Sequence, residues 1–106
     1  MFAVTVTFSI RLGQLEDFLE MLSAHARAVI EEEPSCRRAE CFGDPARPSK
    51  AMLIQIFEDE AAFEAFRASD LAKAFDSKAV DIVTSRSIAT WSEVTTAAPE
   101  GRGTSD

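Results

Sequence analysis

The chain has no tyrosine, a single histidine, a single tryptophan and only two cysteines. With no tyrosine, tyrosyl chemistry is excluded. One histidine cannot build a histidine-rich metal site. The cysteines, Cys36 and Cys41, are spaced C-x4-C with no histidine nearby to complete a zinc set. On a regular strand, positions five apart face opposite sides, which disfavours a local disulfide. Both are expected to be reduced structural thiols in a cytoplasmic protein. Basic residues are few, 11 against 18 acidic ones, and the net charge is −7. Arg37-Arg38 is the only adjacent basic pair, and Glu31-Glu32-Glu33 precedes it closely. Nucleic acid and anionic membrane are therefore poor partners. No apolar run approaches the roughly 18 residues that span a bilayer. The apolar start Met1–Val6 lacks a basic n-region and a cleavage site, so it is expected to be structure and not a leader. Glycine-rich phosphate loops, nucleophile elbows and paired-carboxylate signatures are missing too.

What is present reads as one domain over residues 1–96, followed by a tail over 97–106 whose Pro, Gly, Thr and Ser predict disorder. A chain of 106 residues buries only about two thirds of its unfolded surface, so a second subunit would add useful burial. Phe2, Val4, Val6, Phe8 and Ile10 alternate with Ala3, Thr5, Thr7 and Ser9, a period-2 strand with one apolar face and one small polar face. Gly13 breaks it. Leu15, Phe18, Leu19, Leu22, Ala26, Val29 and Ile30 then follow helical spacing until Pro34 stops them. Residues 36–42 predict a strand, 43–49 a loop, and 51–57 a nearly continuous apolar strand buried on both faces. Asp59-Glu60 opens a helix carrying Phe63 and Phe66. Ser69 can cap a further short helix with Leu71 and Phe75, and residues 81–94 form a last strand.

The resulting order is βαββαβ with a broken second helical region. It predicts an α+β, ferredoxin-like fold in which helices cover one face of a four-stranded antiparallel sheet. The other face of strand one, Thr5/Thr7/Ser9, is too polar for a sealed core. A second copy packed sheet to sheet would close a barrel around a half-polar cavity, so a homodimer is expected.

Several short segments resemble the antibiotic biosynthesis monooxygenase (ABM) domain family of dimeric α+β barrels. They are Arg11-Leu12-Gly13, Phe18, His25-Ala26-Arg27-Ala28, Glu33-Pro34-Ser35-Cys36, Asp44-Pro45, Gln55-Ile56-Phe57, the run Asp59–Phe66, and Ser69. Their order and spacing, over residues 3–94, carry the likeness. Ser35 replaces the usual turn glycine, Gln55 stands where the family often has Glu, and Phe66 where it often has His. The resemblance implies a barrel that binds an electron-rich aromatic or quinol and lets the substrate anion react with O₂, with neither metal nor flavin. The haem-degrading branch of the family uses an Asn on strand one and a His on the second helical region. Thr5, Thr7 and Phe66 do not match it.

His25, the one side chain whose ordinary pKa lies near neutrality, is either a general base at the cavity mouth or a half-buried helix-flank residue. Gln55 interrupts an apolar strand, and by analogy with the family's Glu it faces the cavity. There it contacts ligand or makes a structural hydrogen bond. Trp91 lines a flat pocket or covers a subunit interface. Arg86 pairs with an acidic neighbour or holds an anionic substrate group. Phe57 and Phe66 make the pocket more apolar. The leading function is cofactor-free oxygenation of a small aromatic, quinol-like or polyketide-like molecule, with His25 as the catalytic candidate. Thr5, Thr7, Gln55, Phe57, Phe66, Arg86 and Trp91 are the candidate binding residues. Two rivals are an isomerase of small phosphorylated or dicarbonyl metabolites and a binding barrel without chemistry.

Overall fold

The computed structural model describes residues 1–44 and 46–97. In chain order the elements are β1 (Phe2–Ile10), α1 (Leu15–Glu32), β2 (Cys36–Asp44), β3 (Arg47–Phe57), α2 (Glu60–Arg67), α3 (Asp70–Ala79) and β4 (Val83–Ser92). The four strands form one antiparallel sheet in the order β2-β3-β1-β4. This is the ferredoxin-like arrangement the sequence predicts, with the second helical region split into α2 and α3. The expected disordered tail lies, from residue 98 onward, outside the described residues. No helix among the described residues is long and apolar enough to cross a membrane.

Local chemistry places each boundary. Gly13 takes φ +83°, the left-handed turn that a side chain would strain, and α1 begins two residues later. The α1 stripe Phe18, Leu22, His25, Ala26 and Val29 is buried at helical spacing, so His25 belongs to the buried face and not to its edge. Asp59 caps α2 by accepting from the Ala62 amide at 2.8 Å. Ser69 caps α3 by accepting from the Ala72 amide at 3.2 Å, and its hydroxyl donates to the Phe66 carbonyl at 2.7 Å. The predicted loop 43–49 is shorter than expected. Asp44 accepts from the Ala46 amide and the Arg47 guanidinium at 2.9 and 2.8 Å, and β3 starts at once.

The helices cover one face of the sheet only. Phe2, Val4, Val6, Phe8 and Ile10 of β1 and Ala51, Leu53, Gln55 and Phe57 of β3 are buried there. Phe8 meets Phe18 edge-on at 5.0 Å, and Phe18 lies 6.2 Å from Phe75, tying β1, α1 and α3 together. Each such ring, taken fully out of water, contributes about 1.5–3 kcal/mol. On the opposite face Met52, Ile54 and Ile56 are only half-buried, because nothing in a single chain covers them. The expected burial of this strand on both faces is thus met on one.

One parity argument fails. A register shift between Cys36 and Arg38 inserts a residue into β2. Cys36 pairs with Phe57 and Cys41 with Leu53, so both thiols point to the helix-covered side. Both are free, and burial pushes both thiols above their ordinary pKa.

Candidate functional site

A cavity of about 190 Å³ opens between the helix-covered face of the sheet and the three helices. Its floor is Val4, Val6 and Phe8 of β1 with Leu53 and Gln55 of β3, and Arg86 and Ile88 of β4 form one side. The roof comes from His25 of α1, Phe63 and Phe66 of α2, and Phe75 and Asp76 of α3. The floor is apolar because β1 turns its valines and phenylalanine toward the helices. The roof is aromatic because α2 repeats phenylalanine at i and i+3.

His25 comes seven residues after Phe18 on the buried stripe of α1 and is 9% exposed. Its ring stacks on Phe75 at 4.3 Å and 22°, with Phe66 at 6.2 Å. Burial among these rings lowers its pKa from the ordinary 6.5, and the nearby Asp76 carboxylate opposes the shift without reversing it. The imidazole is therefore neutral at pH 7 and free to accept a proton. Arg86 lies opposite Phe8 in the β1–β4 ladder, and its Nη1 donates to Asp76 Oδ1 at 2.8 Å. This ion pair joins β4 to α3 and holds the carboxylate near His25. Both side chains are around half exposed, so the pair fixes geometry more than it adds stability.

Gln55 is 3% exposed, and its Nε2 is buried without a hydrogen-bond partner among the described residues. An unpaired buried amide costs about 1–3 kcal/mol. Analogy with the family's Glu predicts that Gln55 faces a cavity; the structure puts it on the helix-covered face of the sheet and adds that its donor has no partner.

The candidate residues divide across the sheet. His25, Gln55, Phe66 and Arg86 meet in the helix–sheet cavity. Phe57 is fully buried behind it, 5.5 Å from both Phe63 and Phe66, and supports the wall without lining it. Thr5, Thr7 and Trp91 lie on the opposite, open face. There Trp91 Nε1 donates to Thr5 Oγ1 at 3.4 Å, and Trp91 is 59% exposed. Thr7 borders a surface groove of about 470 Å³ with Phe42, Met52 and Ile54. Trp91 borders another of about 440 Å³ with Ala3 and Ile56. Neither groove contains a histidine, nor the unpaired amide. Asp76 is a cavity residue that the sequence does not single out. Its ion pair with Arg86 spans the α3–β4 turn, and no motif announces it.

The comparisons agree with this fold. The family model described as antibiotic biosynthesis monooxygenase matches residues 1–78. A Deinococcus radiodurans structure, named as a candidate antibiotic biosynthesis monooxygenase, superposes with TM-score 0.84 at 16% identity, over 95% of this chain and 100% of that one. A Nitrosomonas europaea protein named in the same way gives TM-score 0.81 at 16% identity, covering 90% and 100%. A Shewanella oneidensis protein gives 0.76 at 22% identity, covering 85% and 87%. At these identities the structural likenesses establish the fold alone. No functionally curated protein matches the chain.

Proposed function

The chain belongs to the antibiotic biosynthesis monooxygenase family, and from that premise we propose that it is a homodimeric, cofactor-independent monooxygenase of a small electron-rich aromatic substrate. The observation that carries this reading is His25, a neutral imidazole walled by aromatic rings and sharing its cavity with the Asp76–Arg86 pair. Such a base takes a proton from an activated ring CH₂ or hydroxyl group. The electron pair of the carbanion formed from a CH₂ group, or of a quinol phenolate reacting at an adjacent ring carbon that bears hydrogen, then forms a C–O bond to O₂, and the peroxide recovers the proton from the imidazolium. Loss of water from the hydroperoxide leaves a ketone or quinone carbonyl. One oxygen atom ends in the product and the other in water, and the substrate supplies all the electrons.

Size narrows the class. An apolar cavity of about 150 Å³ accepts benzene, so about 190 Å³ suits a one-ring or compact two-ring molecule. Quinol-like substrates fit this space, whereas an extended polyketide would have to project from its opening. The isomerase alternative needs a free anion site; of the two arginines lining the cavity, Arg86 is engaged by Asp76 at 2.8 Å and Arg67 lies 3.7 Å from Glu64. Binding without chemistry is favoured by Phe66, which puts a hydrocarbon ring where the family often carries a second titratable group.

Oxygen uptake with a panel of one- and two-ring hydroquinones separates these readings. Turnover that EDTA leaves intact is expected, with a tricyclic anthrone consumed more slowly than the small rings. Rings that bind but consume no oxygen would leave a binding barrel.

The homodimer completes the reading. Met52, Ile54 and Ile56, with Thr5, Thr7 and Trp91, form the half-apolar face that a second copy would cover. On that arrangement these residues serve the subunit interface, and each protomer keeps its own helix–sheet cavity.

A further inference from the structure

Gln55 bears on what enters the cavity independently of His25. In the ladders its paired positions are Val4 on β1 and Ala39 on β2, neither of which has a polar side chain. Its neighbours of the same parity on β3 are Leu53 and Phe57. No flanking strand therefore supplies an acceptor, and Nε2 remains a buried donor on an otherwise apolar floor. A donor buried in such surroundings calls for an acceptor that arrives with the ligand.

We propose that the cavity selects a ring bearing a hydrogen-bond-acceptor oxygen, a ketone, quinone or phenolate oxygen, and that Gln55 Nε2 donates to it. The proposal rests on the helix–sheet cavity being the ligand site. A hydrocarbon of the same shape would fill the walls equally well and leave the amide unpaired. An uncharged amide also suits the chemistry. When His25 removes a proton from a ring carbon conjugated to a carbonyl, negative charge moves to the carbonyl oxygen. A donor fixed at that oxygen stabilises the charge as it develops, whereas a carboxylate at the same position would repel it. Gln55 is thus a specificity-determining residue with an electrostatic part in the reaction.

Acetophenone and ethylbenzene differ by a carbonyl in place of a methylene and have nearly the same shape. In a ¹⁵N–¹H titration of the full chain, acetophenone is expected to bind about tenfold or more tightly than ethylbenzene. The Gln55 side-chain amide resonances should shift with acetophenone alone. In Gln55→Met, which keeps the length and removes the donor, ethylbenzene affinity should hold within about twofold and the preference should vanish. Equal affinities in the unmodified chain would overturn the Gln55 assignment while leaving the cavity as the ligand site. So would a Gln55 amide that stays still while Phe66 and Phe75 resonances move, a result that needs no variant to fold. If neither ring binds, the cavity reading falls and the proposal with it.

Discussion

Substituting His25 with Gln is expected to lower oxygen consumption by roughly 10²–10⁴-fold, the usual contribution of a positioned general base. Ring binding should change little, because the walls around it are Val4, Val6, Phe8, Phe63 and Phe66. The loss should therefore fall on kcat more than on KM, as for an interaction made mainly in the transition state. Equal losses in ring affinity and turnover would make His25 a packing residue. Glutamine is close enough in size to occupy the space over Phe75 without opening a cavity.

The same group sets a pH dependence whose direction follows from its surroundings. Burial lowers the His25 pKa from 6.5, so the imidazole is the neutral base throughout the range above that value. Activity should hold at neutral pH and fall only as the pH drops below 6.5 and passes through the lowered pKa. Stability moves the same way. Between the folded pKa and 6.5 the unfolded chain binds a proton that the folded chain does not, so folding weakens as the pH falls through that window. Replacing Asp76 with Asn removes the charge that opposes the shift and should move the acid limb lower still.

The second large effect concerns the open face of the sheet. Ile54 sits at its centre, paired with Thr5 on β1 and Glu40 on β2. Ile54→Asp would place a carboxylate beside Glu40 inside the proposed interface, with no cation at either paired position. An unpaired charge in such a contact costs several kcal/mol, and about 4 kcal/mol corresponds to roughly a thousandfold weaker association. Light scattering should show the unmodified chain at twice its 11.6 kDa mass and the variant as a folded monomer. A monomeric unmodified chain, or a variant that still dimerises, would contradict the face assigned here. Trp91 fluorescence offers a second view, since the ring is 59% exposed in the single chain and would be covered in the dimer.

Much of the architecture is legible in the sequence, because it rests on local rules. Alternation in β1, the 3–4 spacing of α1, Pro34 as a stop, the acidic helix start at Asp59-Glu60 and the Ser69 cap are short-range signals, and each is realised. Errors arose where a local irregularity resets parity. The bulge in β2 turns Cys36 and Cys41 to one side, although a regular strand would separate them. The site was only half legible for a related reason. Alternation says which residues share a face and is silent on which face the helices cover. Thr5 and Thr7 looked like cavity walls because they are polar, yet the cavity lies under the apolar face that holds Val4 and Val6. Polar character there marks the open face of the sheet, the one proposed to meet a second copy. Gln55 announced itself by breaking an apolar run. Asp76 could not, because its importance comes from a contact across a turn with Arg86.

The central claim is that ligand enters the helix–sheet cavity and not the grooves of the open face. Intermolecular NOEs from the ring protons of bound acetophenone test it most directly. Contacts to His25, Phe66 and Phe75 are the predicted result. Contacts to Thr7, Met52 or Trp91 would place the ligand on the open face and contradict it.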